Sequence, residues 1–336
     1  MRKLLLIAAA ALVCASCGNN YEIFNGHAQG TTYHIIVDGA PSDLQVKIDS
    51  VFHHADSTMS IFNPNSQVSR INRGEDMTAG PEIGSCLTHA EAAYVFSKGS
   101  YDITVGPLVN MWGFGPAGKP AVEPTQQQID SVLEFVGLHQ IKFAYGRIFK
   151  DDPRVQLDLS SVAKGYTVDM MSKMLNRLGI ENYLVEIGGE VRCKGISPSD
   201  RFWRVGIDNP DYRIRPNAEQ TLVTLQIPSE MSVATSGNYR NYYTTESGQR
   251  VAHTLNALTG RPHPTGILSV TVVHPMCVRA DAFATMIMTA AKADEADLTR
   301  WGNRIGNLGD IMVVYSDENG VTRTYVSPGM EKYILK

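Results

Sequence analysis

The run Val278-Arg279-Ala280-Asp281-Ala282-Phe283-Ala284-Thr285 sets a carboxylate and a hydroxyl four residues apart in an otherwise apolar segment. On a helix, that spacing puts both groups on one face. A carboxylate turned toward a protein interior is costly unless something neutralises it. A hard divalent cation taking oxygen ligands from Asp281 and Thr285 would do so. Taken alone, an aspartate such as Asp281 is more often a helix-start or salt-bridged residue than a metal ligand.

Four further segments place glycines and small polar residues where the chain is expected to reverse. Gly99-Ser100-Tyr101-Asp102-Ile103-Thr104-Val105-Gly106 runs on to Trp112-Gly113-Phe114-Gly115. Its glycines let backbone approach a ligand and its aromatics could stack on a planar ring, or it is a turn beside a core tryptophan. In Leu157-Asp158-Leu159-Ser160-Ser161-Val162-Ala163-Lys164-Gly165, hydroxyls at a helix start and a nearby lysine suit a phosphate, or form a plain N-cap. Glu186-Ile187-Gly188-Gly189-Glu190 is either a bend between strands or a close approach to a ligand. Ser232 to Arg240, with Thr235 and Ser236, is followed by His253-Thr254-Leu255-Asn256-Ala257-Leu258-Thr259-Gly260. Of the 9 histidines, His253 alone sits in such a polar, turn-rich setting, where a general base is plausible and a structural role is the alternative.

The elements that must position these groups follow from periodicity. Thr31 to Val37 alternates as a strand, after which Ser42 to Ser60 and Cys86 to Lys98 read as helices. Thr125 and Gln128 make a capping-box pair before Ile129, Val132 and Leu133. A hairpin is predicted between 141–149 and 155–159, then a helix from Ser161 to about Leu178 with Ser160 as its cap. Strands are predicted over 183–187, 202–207, 221–227, 232–235 and 268–273, a helix over 278–291 and a last strand over 311–315. The class is α+β, with mixed or antiparallel sheets and packed helices.

At 336 residues, with 43% hydrophobic and 19% charged residues, the chain can bury a large core, which excludes a disordered protein. Arg2 and Lys3 precede an apolar run from Leu4 to Val13, too short to span a bilayer, so residues 1–16 are expected to be a signal peptide. Cys14-Ala15-Ser16-Cys17-Gly18 resembles a bacterial lipobox, with Cys14 where Leu is usual. Cys17 would then be lipidated and 17–24 would act as a tether; an ordinary secretory signal is the alternative. Cys86, Cys193 and Cys277 remain, too few and too far apart for a disulfide framework or zinc site. A net charge of −4 without basic runs excludes nucleic acid as a partner.

In this order, and with Gln29-Gly30-Thr31-Thr32-Tyr33 and Met59-Ser60-Ile61-Phe62, the segments resemble the FAD:protein FMN transferase family, the ApbE-type flavin transferase lipoproteins. The resemblance covers residues 25–336 and implies an ApbE-like fold. It implies a Mg²⁺-dependent enzyme that splits the FAD diphosphate, joins FMN by a phosphoester to a Thr or Ser hydroxyl of an acceptor flavoprotein subunit, and releases AMP. Carried over by position, Asp281 and Thr285 bind Mg²⁺ together with a carbonyl or hydroxyl at Ser161 to Ala163. Gln29, Tyr101, Asp102, Thr104, Asp158, Lys164, Gly188, Gly189, Thr235, Ser236, Asn256 and Thr259 line the FAD pocket, and His253 is the base. The lipid on Cys17 would hold the protein at the bacterial membrane, facing the periplasm. This chain departs from the family at Gln29, where Met is usual, and at Asn256-Ala257, where Asp-Pro commonly follows the histidine. A Mg²⁺-dependent FAD pyrophosphatase and a non-catalytic flavin-binding lipoprotein are the alternatives.

Overall fold

Alternation sets the framework of the sheet. Along Thr31–Asp38, Tyr33, Ile35 and Val37 are buried in turn while their neighbours are less so, the pattern of a strand covered chiefly on one face. The computed structural model describes residues 20–116, 118, 123–199, 201–210, 219–238, 242–244, 250–263, 266–306 and 308–335. The lipobox-like residues and Cys17 lie outside that set.

The chain begins with β1 (Tyr21–Ala28) and β2 (Thr31–Asp38), followed by α1 (Leu44–Met59), α2 (Gln67–Arg73), α3 (Pro81–Ser97), α4 (Gly106–Met111) and α5 (Gln126–Leu133). A short ribbon of β3 (Ile141–Ala144) and β4 (Arg147–Lys150) precedes α6 (Ala163–Arg177), β5 (Tyr183–Ile187) and β6 (Glu190–Lys194). Next come β7 (Trp203–Asp208), β8 (Thr221–Ile227) and β9 (Met231–Gly237), then the short strands β10 (Tyr242–Thr244), β11 (Arg250–Ala252), β12 (Leu255–Asn256) and β13 (Arg261–Pro262). The chain closes through β14 (Ile267–His274), α7 (Cys277–Ala290), α8 (Glu295–Ile305), β15 (Asp310–Ser316) and β16 (Thr322–Val326). One 8-stranded sheet, in the order β1-β2-β5-β6-β9-β14-β15-β16, is antiparallel throughout.

Helices cover one face of this sheet. Tyr33, Ile35, Val37, Val185 and Ile187 pack with Leu44, Ile48 and Phe52 of α1 and with Val168, Met171 and Leu175 of α6. A larger cluster wraps α7, which is buried nearly all round and touches α3, α6, β9 and β14. On the opposite face Leu184, Val191, Cys193 and Val233 meet the β7–β8 ribbon through Trp203, Ile207, Leu225 and Ile227. A separate cluster of Leu108, Trp112, Ile129, Val251, Leu255 and Ala257 holds α4 and α5 against the chain that follows His253.

Three local expectations change. The hairpin lies wholly within 141–150, turned at Tyr145 and Gly146, which both have positive φ. Residues 155–159 instead touch Val105 through a single bridge at Gln156. The helix expected from Ser161 starts at Ala163 without a side-chain cap. Ser160 is drawn into a turn in which its N–H donates to Asp158 Oδ1 (2.9 Å), a local bond that competes with capping. Within the segment expected to be a tether, Tyr21 to Phe24 pair with β2 as part of a strand. The Thr125–Gln128 capping box forms as its sequence predicts.

Candidate active site

The site begins where α6 crosses α7, and a glycine allows the approach. A Cβ on Gly165 would lie 2.5 Å from the Cys277 carbonyl oxygen and 2.8 Å from Asp281 Cβ, so only glycine fits. At that contact the Gly165 N–H donates to Asp281 Oδ2 (2.9 Å). Lys164, one residue earlier, pairs with the buried carboxylate of Glu190 (2.6 Å), the first residue of β6. Two carboxylates thus face one lysine. Burial, and then the charge of Glu190, push the Asp281 carboxyl up to about 8, against the pull of Lys164 and the Gly165 N–H. Burial pulls Lys164 down, but Glu190 and Asp281 outweigh it and raise its proton affinity.

Hydroxyls surround this cluster. One turn along α7, Thr285 Oγ1 lies 3.0 Å from Ser236 Oγ on β9. Ser161 Oγ, just before α6, lies 2.9 Å from the hydroxyl of the buried Tyr101. The Ala163 carbonyl accepts from Thr167 Oγ1 (2.7 Å), which itself accepts from Gln29 Nε2 (2.9 Å). Gly188 (φ 64) and Gly189 (φ 104) form the two-residue turn between β5 and β6, directly before Glu190. They also line a cleft of about 340 Å³ on the other side of the sheet, with Thr31, His34, Glu186 and Thr235. Alternation along β9 sends Thr235 toward that cleft and Ser236 toward α7.

Other expected site residues have their polar atoms engaged elsewhere. Asp102 Oδ1 accepts from the N–H (2.8 Å) and hydroxyl (2.7 Å) of Thr104, and Oδ2 accepts from Leu138 N–H (2.7 Å). Thr104 Oγ1 in turn accepts from Gly137 N–H (2.7 Å), so the pair ties the 100–104 loop to the chain after α5. Asp158 is buried and holds its own turn through Ser160. Asn256 donates to the Thr289 carbonyl of α7 (3.0 Å) and accepts from Leu258 N–H (2.9 Å) and Thr259 N–H (3.2 Å). Thr259 itself is exposed. Ala257 N–H donates to the Ser100 carbonyl (2.9 Å), a bond that a proline there could not make. The Asn256-Ala257 departure therefore leaves the turn well tied. That turn docks the segment after His253 onto the helix of Asp281 and Thr285, and the His253 ring meets Phe114 edge-on at 6.1 Å.

Glu190, Thr167 and Asp169 escaped the sequence reading as site residues. Asp169 caps α7 from below, its two oxygens accepting from Cys277 N–H (3.1 Å) and Val278 N–H (3.0 Å), while Arg192 donates to it (3.0 Å). The one available signal was the register of Thr167, three residues after Lys164 on the same helix; Asp169, five residues on, and Glu190, on a separate strand, had none.

A hard cation fits this donor set. A buried carboxylate short of positive charge, hydroxyls of Thr285, Ser236 and Ser161, and the Ala163 carbonyl are all oxygen donors. Among the described residues no group of three or more His, Cys, Asp or Glu could hold a metal. A cation here would therefore need ligand oxygens as well, as Mg²⁺ takes from phosphates.

The scaffold and this oxygen-rich crossing define first a class, an α+β protein with a site suited to a phosphorylated ligand and a hard cation. The chain belongs to the ApbE family, whose profile matches residues 29–306. It is similar to the FAD:protein FMN transferase of Vibrio cholerae, 33% identical over 346 residues and the full length of both chains. The FAD:protein FMN transferase of Haemophilus influenzae is 30% identical over 96% of each. The solved structure of the flavin transferase ApbE from Vibrio cholerae superposes with a TM-score of 0.82 at 30% identity, covering 93% of this chain and 99% of its own.

Proposed function

We propose that this chain transfers FMN from FAD to a Thr or Ser hydroxyl of an acceptor protein. The observation that supports this best is the α6–α7 crossing, where the buried Asp281 carboxyl meets Glu190 and Lys164 and where Thr285, Ser236, Ser161 and Tyr101 bring four hydroxyl groups. In the reaction, the acceptor oxygen attacks the FMN phosphorus and gives up its proton to His253. The phosphoanhydride bond to the AMP phosphate breaks, and AMP leaves. General-base help of this kind contributes about 10²–10⁴-fold.

Asp281 and Thr285 would hold Mg²⁺, with the Ala163 carbonyl and Ser161 nearest. When bound, the ion neutralises the diphosphate and the charge that grows on the leaving phosphate. Lys164 adds a cation that Glu190 holds in place, and the Gly188–Gly189 turn lets the ligand approach backbone closely. Asn256 and Ala257 hold the loop after His253 against α7.

The same reading puts the protein at the bacterial membrane, facing the periplasm, on a lipidated Cys17 after loss of residues 1–16. Only Gly18 to Asn20 would then separate the lipid from β1, so roughly 10 Å of extended chain keeps the β1 edge close to the bilayer. Among the described residues no helix is long and apolar enough to cross a membrane.

The test incubates the leaderless protein with FAD, Mg²⁺ and a Thr-bearing acceptor fragment, and follows covalent flavin by intact mass and in-gel fluorescence beside AMP release. Labelling that EDTA abolishes and His253→Ala reduces by about 10²-fold or more, with FAD still bound, is the expected result. AMP with free FMN and no labelling would replace transfer by hydrolysis. FAD bound and unchanged would leave a carrier.

A further inference from the structure

Gln29 stands in the two-residue turn between β1 and β2, where both it (φ 51) and Gly30 (φ 72) adopt left-handed backbone. Its side chain reaches the buried Thr167 on α6, and the direction of each hydrogen bond there is fixed. Thr167 has one hydroxyl proton and gives it to the Ala163 carbonyl (2.7 Å). Its oxygen must then accept from Gln29, so the amide presents Nε2 to Thr167 (2.9 Å) and cannot flip without setting two acceptors face to face. Oε1 is thereby turned away from Thr167. It is buried and has no hydrogen-bond partner among the described residues.

An orphaned buried acceptor is unfavourable, and native proteins keep few of them without a use. The amide that carries it is bonded to Thr167 of α6, three residues after Lys164, and Gln29 lies two residues before Thr31, whose side chain abuts the Gly188 turn. Resting on the FAD reading above, we propose that Gln29 Oε1 accepts a hydrogen bond from an N–H on one of the two ring systems of the bound dinucleotide, either the imide of the flavin or the exocyclic amine of the adenine. Phosphate oxygens carry no donor and are excluded as its partner at neutral pH. A methionine at this position would have no comparable acceptor. The glutamine therefore gives this chain a selectivity for that ring's donor which a methionine protein would not have.

The experiment measures binding, in Mg²⁺ without acceptor, of FAD and two analogues to wild type and Gln29→Met. One analogue is methylated on the flavin imide nitrogen; the other has purine in place of adenine. Wild type should bind one of them about 5–10-fold more weakly than FAD, the scale of one lost hydrogen bond, and that analogue names the ring. Gln29→Met should bind FAD itself weaker by a similar factor and distinguish that analogue at least about fivefold less well. Wild type binding both analogues as it binds FAD, or the variant discriminating as wild type does, would overturn the assignment and leave the transferase reading intact. A wild type that binds no FAD would remove both.

Discussion

Asp102 and Asp281 are both nearly inaccessible, at 5% and 2% exposure, and burial raises the proton affinity of each. Their surroundings differ in kind. Asp102 receives three donors, two from Thr104 and one from Leu138, which offset its burial. Asp281 receives one, from Gly165, and faces a second buried carboxylate across a single shared lysine. A carboxylate completed by its own fold is doing structural work, whereas one left short of donors and positive charge is set for a ligand. Of two aspartates that the resemblance assigns to the site, Asp102 as a flavin-pocket residue and Asp281 as a metal ligand, the first is held by three donors of its own fold and the second by one among the described residues.

The largest effect should come from Asp281→Asn. Loss of the ion's charged ligand is expected to lower transfer by at least about 10³-fold, several kcal/mol of charge stabilisation. The amide oxygen can still accept from Gly165, and the amide is uncharged as is the protonated carboxyl below about pH 8, so the metal-free variant should melt no lower than wild type near neutral pH. Thermal melting alongside the labelling assay separates the two effects, and a clear drop in melting temperature would break the contrast with Asp102.

Asp102→Asn should do the reverse. Its NH₂ group must face an N–H or O–H that the carboxylate satisfied, so stability should fall by about 2–3 kcal/mol. Transfer per folded molecule should change far less than for Asp281→Asn. Denaturant unfolding and kcat measured on the folded fraction decide this, and a kcat loss matching that of Asp281→Asn would put Asp102 in the FAD pocket after all.

The pH dependence sharpens the same contrast with a smaller signal. Asp281, raised in the folded protein, holds a proton that the unfolded chain has lost above its ordinary carboxylate value near 4. Stability of the metal-free protein should therefore fall as pH rises from about 4 to about 8. Glu190 and Lys164 face the same carboxyl and share in the slope. If Asp281 holds Mg²⁺ as proposed, the ion would displace that proton and should raise the melting temperature more at pH 8 than at pH 6. Asp281→Asn should flatten both trends. A wild-type metal-free melting curve insensitive to pH across this range would count against a proton on Asp281.

Much of the helical and strand pattern was legible because its signals are local. The capping box at Thr125, the strand alternation at Thr31–Asp38 and the apolar run around Asp281 each read correctly within one segment. The hairpin at 141–150 and the start of α6 did not, because an extended stretch can choose among partners and a serine among backbone groups. β1 was hidden in the expected tether, since an edge strand with exposed residues has little hydrophobic pattern to show.

By itself the sequence determined most of the element types, the helical face shared by Asp281 and Thr285, and the residue types able to bind a hard cation and a diphosphate, each from a signal only a few residues long. Tertiary structure alone decided which carboxylate is completed and which is left open. It brought Gly165 under Asp281, Glu190 beside Lys164, Asp169 beneath the start of α7 and Gln29 onto Thr167. Donors, charge and burial at a carboxylate come from segments far apart in the chain, and their sum exists only once those segments pack.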